Sequence, residues 1–209
     1  MKRVQITLEY NGSNFVGWQR QENGLGVQEV LEEAIKKLCG ESVRVQCAGR
    51  TDSGVHALGQ VAHFDLICNL SSGKVRDGLN FHLKPNEISI LKATEAHEDF
   101  NARFDAIQRT YLYVIIDRRA PLTLDRGRAW WIPKPLDSEI MDKAGKTLIG
   151  THDFSTFRAK HCQSKSPIKT LDELNVKRVG KNIQILVRAR SFLYHQVRNI
   201  AGSLRLVGE

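Results

Sequence analysis

The chain has 209 residues, of which 41% are hydrophobic and 26% charged, the balance of a globular protein with a substantial core. No apolar run is long enough to span a membrane, and the chain starts in an alternating pattern without a signal-peptide core. We therefore expect a cytoplasmic protein with no membrane contact. Lys and Arg outnumber Asp and Glu by 31 to 23, a net charge of +8 that weakly favours a polyanionic partner.

The cysteines show no Cys-x-x-Cys spacing and no nearby histidine pattern. They therefore predict free thiols in a reducing compartment, with neither a disulfide framework nor a zinc site. The four positions are Cys39, Cys47, Cys68 and Cys162. The sequence as a whole calls for no metal or nucleotide cofactor.

Two elements are predicted before residue 40. Apolar residues alternate from Val4 to Tyr10, as in a half-buried strand. Residues 11–26 are rich in Asn and Gly and are predicted to be a loop. A helical stripe of apolar residues then runs from Val27 to Leu38 and stops at Gly40, which predicts a helix.

The next segment is a polar loop between two predicted strands. The alternating residues Val43, Val45 and Cys47 enter it, and an apolar run through Val61 and Phe64 leaves it. The polar residues are therefore expected in a loop that connects two strands of a sheet, a position where binding and catalytic groups are common.

This loop places an acid close to a base. Gly49 and Gly54 flank Arg50 to Ser53 and allow positive φ and close approach of another molecule. Arg50 and Asp52 share one side of an extended segment, and a carboxylate beside a guanidinium stays ionised at neutral pH. Asp52 can then act as a nucleophile or a general base, although an Asp-Ser-Gly turn is also ordinary turn chemistry.

Further elements follow in alternation. Ser71 or Ser72 is expected to cap a short helix. The other predicted elements are strands at 87–93, 105–117 and 126–132, a helix at 136–148 ending at Gly150, a polar loop at 151–167, strands at 171–179 and 183–189, and a helix from Phe192.

In the long strand predicted at 105–117, Arg109, Tyr111 and Tyr113 share one face. We expect its aliphatic face, with Leu112, to pack against helices and the tyrosine face to be open.

The order strand, helix, strands occurs twice, which predicts an α+β fold with mainly antiparallel sheets flanked by helices. The two similar subdomains are expected at 1–105, with the catalytic loop, and at 106–209.

Residues Gly49 to Ala57 resemble the signature of the TruA-type tRNA pseudouridine synthases. Family-like stretches occur in the family's order along almost the whole chain: Tyr10–Gly12, Phe15–Gln19, Phe100–Phe104, Arg109–Tyr113, Gly150–Arg158 and Phe192–Ser203. The resemblance implies sheets that face a central basic cleft, usually in a homodimer. Members of the family usually continue past the last helix, so the second subdomain is expected to be shortened.

The resemblance also implies an activity, the isomerisation of uridine to pseudouridine at about positions 38 to 40 of the tRNA anticodon arm. It makes Asp52 the essential catalytic residue and Tyr111 the residue that stacks on the target base. It implies that Arg198 pairs with the catalytic carboxylate. The basic residues expected near phosphates are Arg50, Arg103, Arg158 and Lys160.

Two other functions remain open at this stage. The chain could be a catalytically impaired RNA-binding protein of the same fold that lacks the C-terminal segment. It could instead be a hydrolase that uses Asp52 with His56 or His63, although no third orienting group is evident.

Overall fold

The structure, a computed structural model, describes residues 1–160 and 162–209. Internal contacts divide the chain into two compact units, Met1–Ala106 and Ile107–Glu209. Each unit combines one mainly antiparallel sheet with two α-helices, so the predicted α+β class is confirmed. In the described part of the chain, no helix has the length and apolar character needed to cross a membrane.

The elements of the first unit are β1 (Lys2–Tyr10), α1 (Val27–Cys39), β2 (Gln46–Cys47), β3 (Ala57–Leu66), α2 (Ser72–His82) and β4 (Ile88–Ala96). The strands form a four-stranded antiparallel sheet in the order β2-β3-β1-β4. The core lies between the inward residues of β1, such as Ile6 and Leu8, and the apolar stripe of α1, including Leu31 and Ile35.

Both helices of this unit begin as predicted, and α1 also ends as predicted. Gly40 closes α1 with φ 77° and donates its N–H to Lys36. The Ser71 side chain caps α2 by accepting from the Lys74 N–H. The strand predicted from Val43 is wrong in length, because the Val45 backbone bonds instead to the Gln28 and Glu32 side chains of α1.

The elements of the second unit are β5 (Arg109–Asp117), β6 (Trp130–Ile132), α3 (Ser138–Lys146), β7 (Gly150–Asp153), β8 (Ile168–Val179), β9 (Asn182–Ala189) and α4 (Gln196–Gly208). The strands form a five-stranded sheet in the order β6-β5-β9-β8-β7. All neighbouring strands are antiparallel except β5 and β6. Residues of α3 and α4, including Met141, Ile200 and Leu204, complete the core of this unit.

Several predicted boundaries in this unit are wrong. The long strand starts at Arg109 because the preceding residues form a turn, in which the Asp105 N–H bonds to the Asn101 carbonyl. The predicted polar loop contains β7, which pairs with the start of β8, and a 3-10 turn, Ser155–Phe157. Residue 161 of that predicted loop lies outside the described residues. The strand near 130 is shorter than predicted, α3 ends before Gly150, and α4 starts after Phe192.

The predicted orientation of β5 is also wrong. Tyr111 and Tyr113 pair with Val187 and Ile185 of β9, whose side chains are fully buried in the core. The tyrosine face is therefore the face that packs against the core, while Leu112 on the opposite face is 46% exposed. Alternation defined the two faces correctly, but the neighbouring strand decides which one is covered.

One ion pair joins β5 to β8 in this unit. Asp117, whose side chain is 3% exposed, accepts two hydrogen bonds of 2.7 Å from Arg178 and one of 2.9 Å from the Leu136 N–H. The Arg178 guanidinium lowers the pKa of Asp117 from its ordinary value near 3.8.

We expect Asp117→Asn to lower the free energy of unfolding at pH 7 by about 2 kcal/mol, less than for a fully buried pair because Arg178 is 40% exposed. Because folding depresses the pKa of Asp117, this stabilisation is complete above the unfolded pKa of 3.8 and is lost as the pH falls through the lower folded value. Urea unfolding of both chains between pH 7 and pH 3 measures the difference. Asp77→Asn, at an exposed carboxylate, is the control, and a difference that stays constant with pH would contradict the assignment.

Candidate active site

The predicted loop between two strands is confirmed, and it places Asp52 between β2 and β3. Asp52 is half-buried and forms an isolated antiparallel bridge with Gly17. Gly54 adopts the expected positive φ, at 76°, whereas Gly49 does not. The carboxylate is thus carried by a backbone that is fixed by a second segment of chain.

That second segment is the stretch from Tyr10 to Trp18. The Trp18 N–H donates to the Thr51 carbonyl at 3.0 Å, and the Gly54 N–H donates to the Phe15 carbonyl at 3.2 Å. The Tyr10 and Thr51 hydroxyl oxygens are 2.7 Å apart. Hydrogen bonds therefore hold the residues on both sides of Asp52.

Gly12 lies close to both His56 and Val55 in this arrangement. The Gly12 N–H donates to His56 Nδ1 at 3.0 Å, and Gly12 is buried. A β-carbon at position 12 would lie 2.1 Å from the Val55 carbonyl oxygen, a distance that no side chain can adopt. The sequence left open whether His56 is a supporting hydrogen bonder or an ordinary loop residue, and it gave Gly12 no positioning role, although both lie in the family-like stretches.

The same segment also accepts hydrogen bonds from the first residues of α1. The Gly17 and Trp18 carbonyls accept from the Val27 and Gln28 N–H groups at 3.1 and 2.9 Å. Trp18 is 1% exposed and lies in the core with α1. We call residues 48–56, between β2 and β3, the Asp52 loop. These bonds connect the Asp52 loop to α1, the more strongly amphipathic of the two helices in the first unit, and so limit the movement of the loop.

Two of the predicted basic residues, Arg50 and Arg103, are exposed on the first unit. Arg103 lies over the Phe104 ring at 5.6 Å. Burial raises the pKa of Cys47 to about 12, and the positive charges of Arg50 and Arg103 both oppose that rise. Both charges therefore act on a thiol that is close in sequence to Asp52.

His63 anchors the segment that carries Arg103. It is 2% exposed, and its Nδ1 accepts from the Ala102 N–H at 3.2 Å. Burial, followed by the charge of Arg3, lowers the pKa of His63. Because His56 and His63 both use Nδ1 to accept from a backbone N–H, they fit the role of loop anchors better than that of a hydrolase's general base.

Tyr111 lies at the edge of the core of the second unit. Its ring is half-buried and meets Phe192 edge to face, with ring centres 5.1 Å apart and planes at 87°. Tyr113, two residues further along the same face, packs against the core. Tyr111 thus combines a supported ring with partial access to solvent, as a stacking residue requires.

Arg198 is exposed in the first turn of α4. Burial raises the pKa of Tyr113, and the positive charge of Arg198 opposes this rise. His195, just before α4, has φ 60°, a left-handed conformation uncommon for a residue with a β-carbon. Such local strain is often kept at functional sites.

Arg158 has a defined structural contact. Its Nη2 donates to the Cys162 and Ser164 carbonyls at 3.0 and 2.9 Å, so the guanidinium closes the loop that follows it. The Asn199 side chain of α4 donates to the Phe157 carbonyl at 3.0 Å, and this bond joins that loop to the helix of Arg198. Lys160 is exposed in the same loop.

Comparison with known proteins identifies the family of this chain. A family model described as tRNA pseudouridine synthase matches residues 6–105 and 144–209, and thus most of both units. The chain belongs to the tRNA pseudouridine synthase family. The synthases of this family are isomerases, so the Asp52 loop and the tyrosine face of β5 lie in an RNA-modifying enzyme.

Individual relatives of this synthase are similar along the whole chain. The tRNA pseudouridine synthase A of Paramagnetospirillum magneticum is 56% identical over 209 residues, which are 100% of this chain and 82% of the relative. The proteins of the same name from Rhodospirillum rubrum and Parvibaculum lavamentivorans are 54% and 52% identical over all of this chain and over 75% and 85% of their own lengths.

Proposed function

We propose that this tRNA pseudouridine synthase isomerises uridines at about positions 38 to 40 of the anticodon arm, with Asp52 as the essential carboxylate. The observation that carries the proposal is the fixed Asp52 loop, in which bonds from Trp18 and Gly54 hold the chain on both sides of the carboxylate. The substrate class follows from family membership, and the position within tRNA is part of the proposal.

The isomerisation breaks the bond from ribose to N1, turns the uracil over and rejoins it through C5. The reaction has no net redox change and no hydrolysis. It requires an anionic nucleophile or base and a surface that holds the detached uracil. A fixed loop favours Asp52 for the first task, since a carboxylate held in place attacks without a further cost in ordering.

Of the groups in the second unit, we assign one to the target base and one to the catalytic carboxylate. Tyr111 is held by Phe192 and offers a ring face for stacking, and Arg198 is the cation we assign to the Asp52 carboxylate. A uridine inside a stem must leave its stack before it can react, so stacking on Tyr111 offsets part of that loss.

Phosphate contacts complete the proposal. Arg50 and Arg103 are exposed near Cys47 and suit phosphate binding. Arg158 already donates to two carbonyls, so we assign it to shaping the loop that presents Lys160. The central basic cleft and the homodimer implied by the family resemblance are further parts of this proposal.

The test measures tritium release from tRNA labelled at C5 of its uridines. C5 loses its hydrogen only when it becomes the new point of attachment to ribose. We expect release from a tRNA with uridines at positions 38 to 40, and none from the same tRNA with cytidines at those positions. A tRNA with cytidines in the acceptor stem instead is the matched control.

Two outcomes would overturn parts of the proposal. Equal release from both anticodon-arm substrates would place the modified uridine elsewhere in tRNA. Binding of tRNA that weakens with salt but never releases tritium would favour the impaired RNA-binding protein.

Two substitutions at Tyr111 distinguish the contribution of its ring from that of its hydroxyl group. Tyr111→Phe keeps the ring and is expected to keep the KM for tRNA within about twofold, whereas Tyr111→Leu is expected to raise it about tenfold, since stacking on one base contributes about 1–3 kcal/mol. Initial rates of tritium release at varied tRNA concentration give both values. An equal rise in KM for the two variants would show that the ring does not stack on the base.

A further inference from the structure

Three possible metal ligands meet at one end of the first unit. The Sγ atoms of Cys39 and Cys68 and a carboxylate oxygen of Glu41 all lie within 4.8 Å of one another, and the three residues are half-buried. The cysteines are far apart in sequence, so the spacing rules that predicted free thiols could not detect this cluster.

The backbone brings the three groups together for clear reasons. Cys39 is the last residue of α1, and the left-handed turn at Gly40 leads directly to Glu41. The Glu41 carboxylate accepts from the Ile67 and Cys68 N–H groups, each at 2.8 Å, just beyond the end of β3. These two bonds orient the carboxylate toward Cys68, as hydrogen bonds outside a metal's own ligands do in known sites.

We propose that Cys39, Glu41 and Cys68 bind one thiophilic divalent cation of the zinc class. Two sulfurs and one carboxylate oxygen suit zinc and exclude magnesium and calcium, which require oxygen ligands. Zinc–sulfur bonds of about 2.3 Å set tetrahedral ligand atoms roughly 3.5–4 Å apart, so side-chain movements of about 1 Å suffice here. Three protein ligands leave the fourth position to water.

The cation would connect the end of α1 to the end of β3 and would stabilise the unit that carries Asp52. Binding requires both thiols to lose their protons. A free cysteine thiol is ordinarily protonated at neutral pH, and the Cys39 thiol donates to the Ile35 carbonyl at 3.3 Å. Metal binding is therefore expected to release protons and to strengthen as the pH rises.

The experiment titrates the full chain with Zn²⁺ against a chromophoric chelator, in a phosphine reductant that keeps the thiols reduced. We expect one equivalent to bind the wild-type chain and Cys162→Ser, the matched control in the other unit. Cys39→Ser and Cys68→Ser are expected to bind at least about tenfold more weakly, because even the loss of an outer hydrogen bond costs a metal site that much. Thermal unfolding should show a Zn²⁺-dependent rise in Tm in the first two chains only.

A second readout does not depend on whether a variant folds. Cd²⁺ added to the wild-type chain should produce a thiolate-to-metal charge-transfer absorption that saturates at one equivalent, together with release of protons. Absence of both signals in the wild-type chain would overturn the proposal. Equal Zn²⁺ affinity of Cys39→Ser, Cys68→Ser and wild type would overturn it as well.

Discussion

The Asp52→Asn variant is expected to release tritium from tRNA at a rate at least about 10³-fold below that of the wild-type chain. Asparagine has the size of aspartate but carries no charge, so the variant removes the nucleophile or base and leaves the surrounding loop in place. The backbone bonds from Trp18 to Thr51 and from Gly54 to Phe15 remain available in the variant. The measurement is single-turnover tritium release with enzyme in excess over tRNA.

The control for this variant is Asp77→Asn, which removes one exposed negative charge from α2 in the same unit. It should retain wild-type rates, and all three chains should bind tRNA with similar affinity and a similar salt dependence. Release by Asp52→Asn within tenfold of wild type would exclude Asp52 as the essential group. Loss of tRNA binding would show instead that the substitution acts before the chemical step.

Sequence patterns predicted those helices and strands whose formation depends mainly on residues close together in the chain. The helical stripe from Val27 gave both ends of α1 nearly correctly, and the cap at Ser71 gave the start of α2, because periodicity and capping depend on neighbouring residues. The strand β7 was missed because Gly150–Asp153 has no apolar alternation. Its pairing depends on a distant partner, the first residues of β8.

The burial of β5 shows the same limit. Its two faces follow from alternation, but the covered face is set by Ile185 and Val187 of β9, which are distant in the chain. For the site, resemblance identified Asp52 as a candidate, whereas the anchoring of its loop by the stretch from Tyr10 to Trp18 could be seen only in the structure.

Gly12→Ala is expected to lower kcat by about 100-fold, although position 12 carries no reacting group. The added β-carbon would lie 2.1 Å from the Val55 carbonyl oxygen and 2.5 Å from its carbon. Both atoms belong to the backbone, so the loop itself must move, and a displacement of about 1 Å at a catalytic group can reduce a rate that much. Overpacking should also lower the free energy of unfolding by about 1–3 kcal/mol.

Gly73→Ala is the matched control in the same unit, since a β-carbon there meets no atom within 4 Å and the residue lies in α2. It should keep the wild-type kcat and raise the free energy of unfolding by about 0.5–1 kcal/mol, the usual gain of Ala over Gly in a helix. Tritium release and urea unfolding of the same samples separate lost activity from lost folding. A folded Gly12→Ala chain with wild-type kcat would show that catalysis does not depend on this contact between Gly12 and the Asp52 loop.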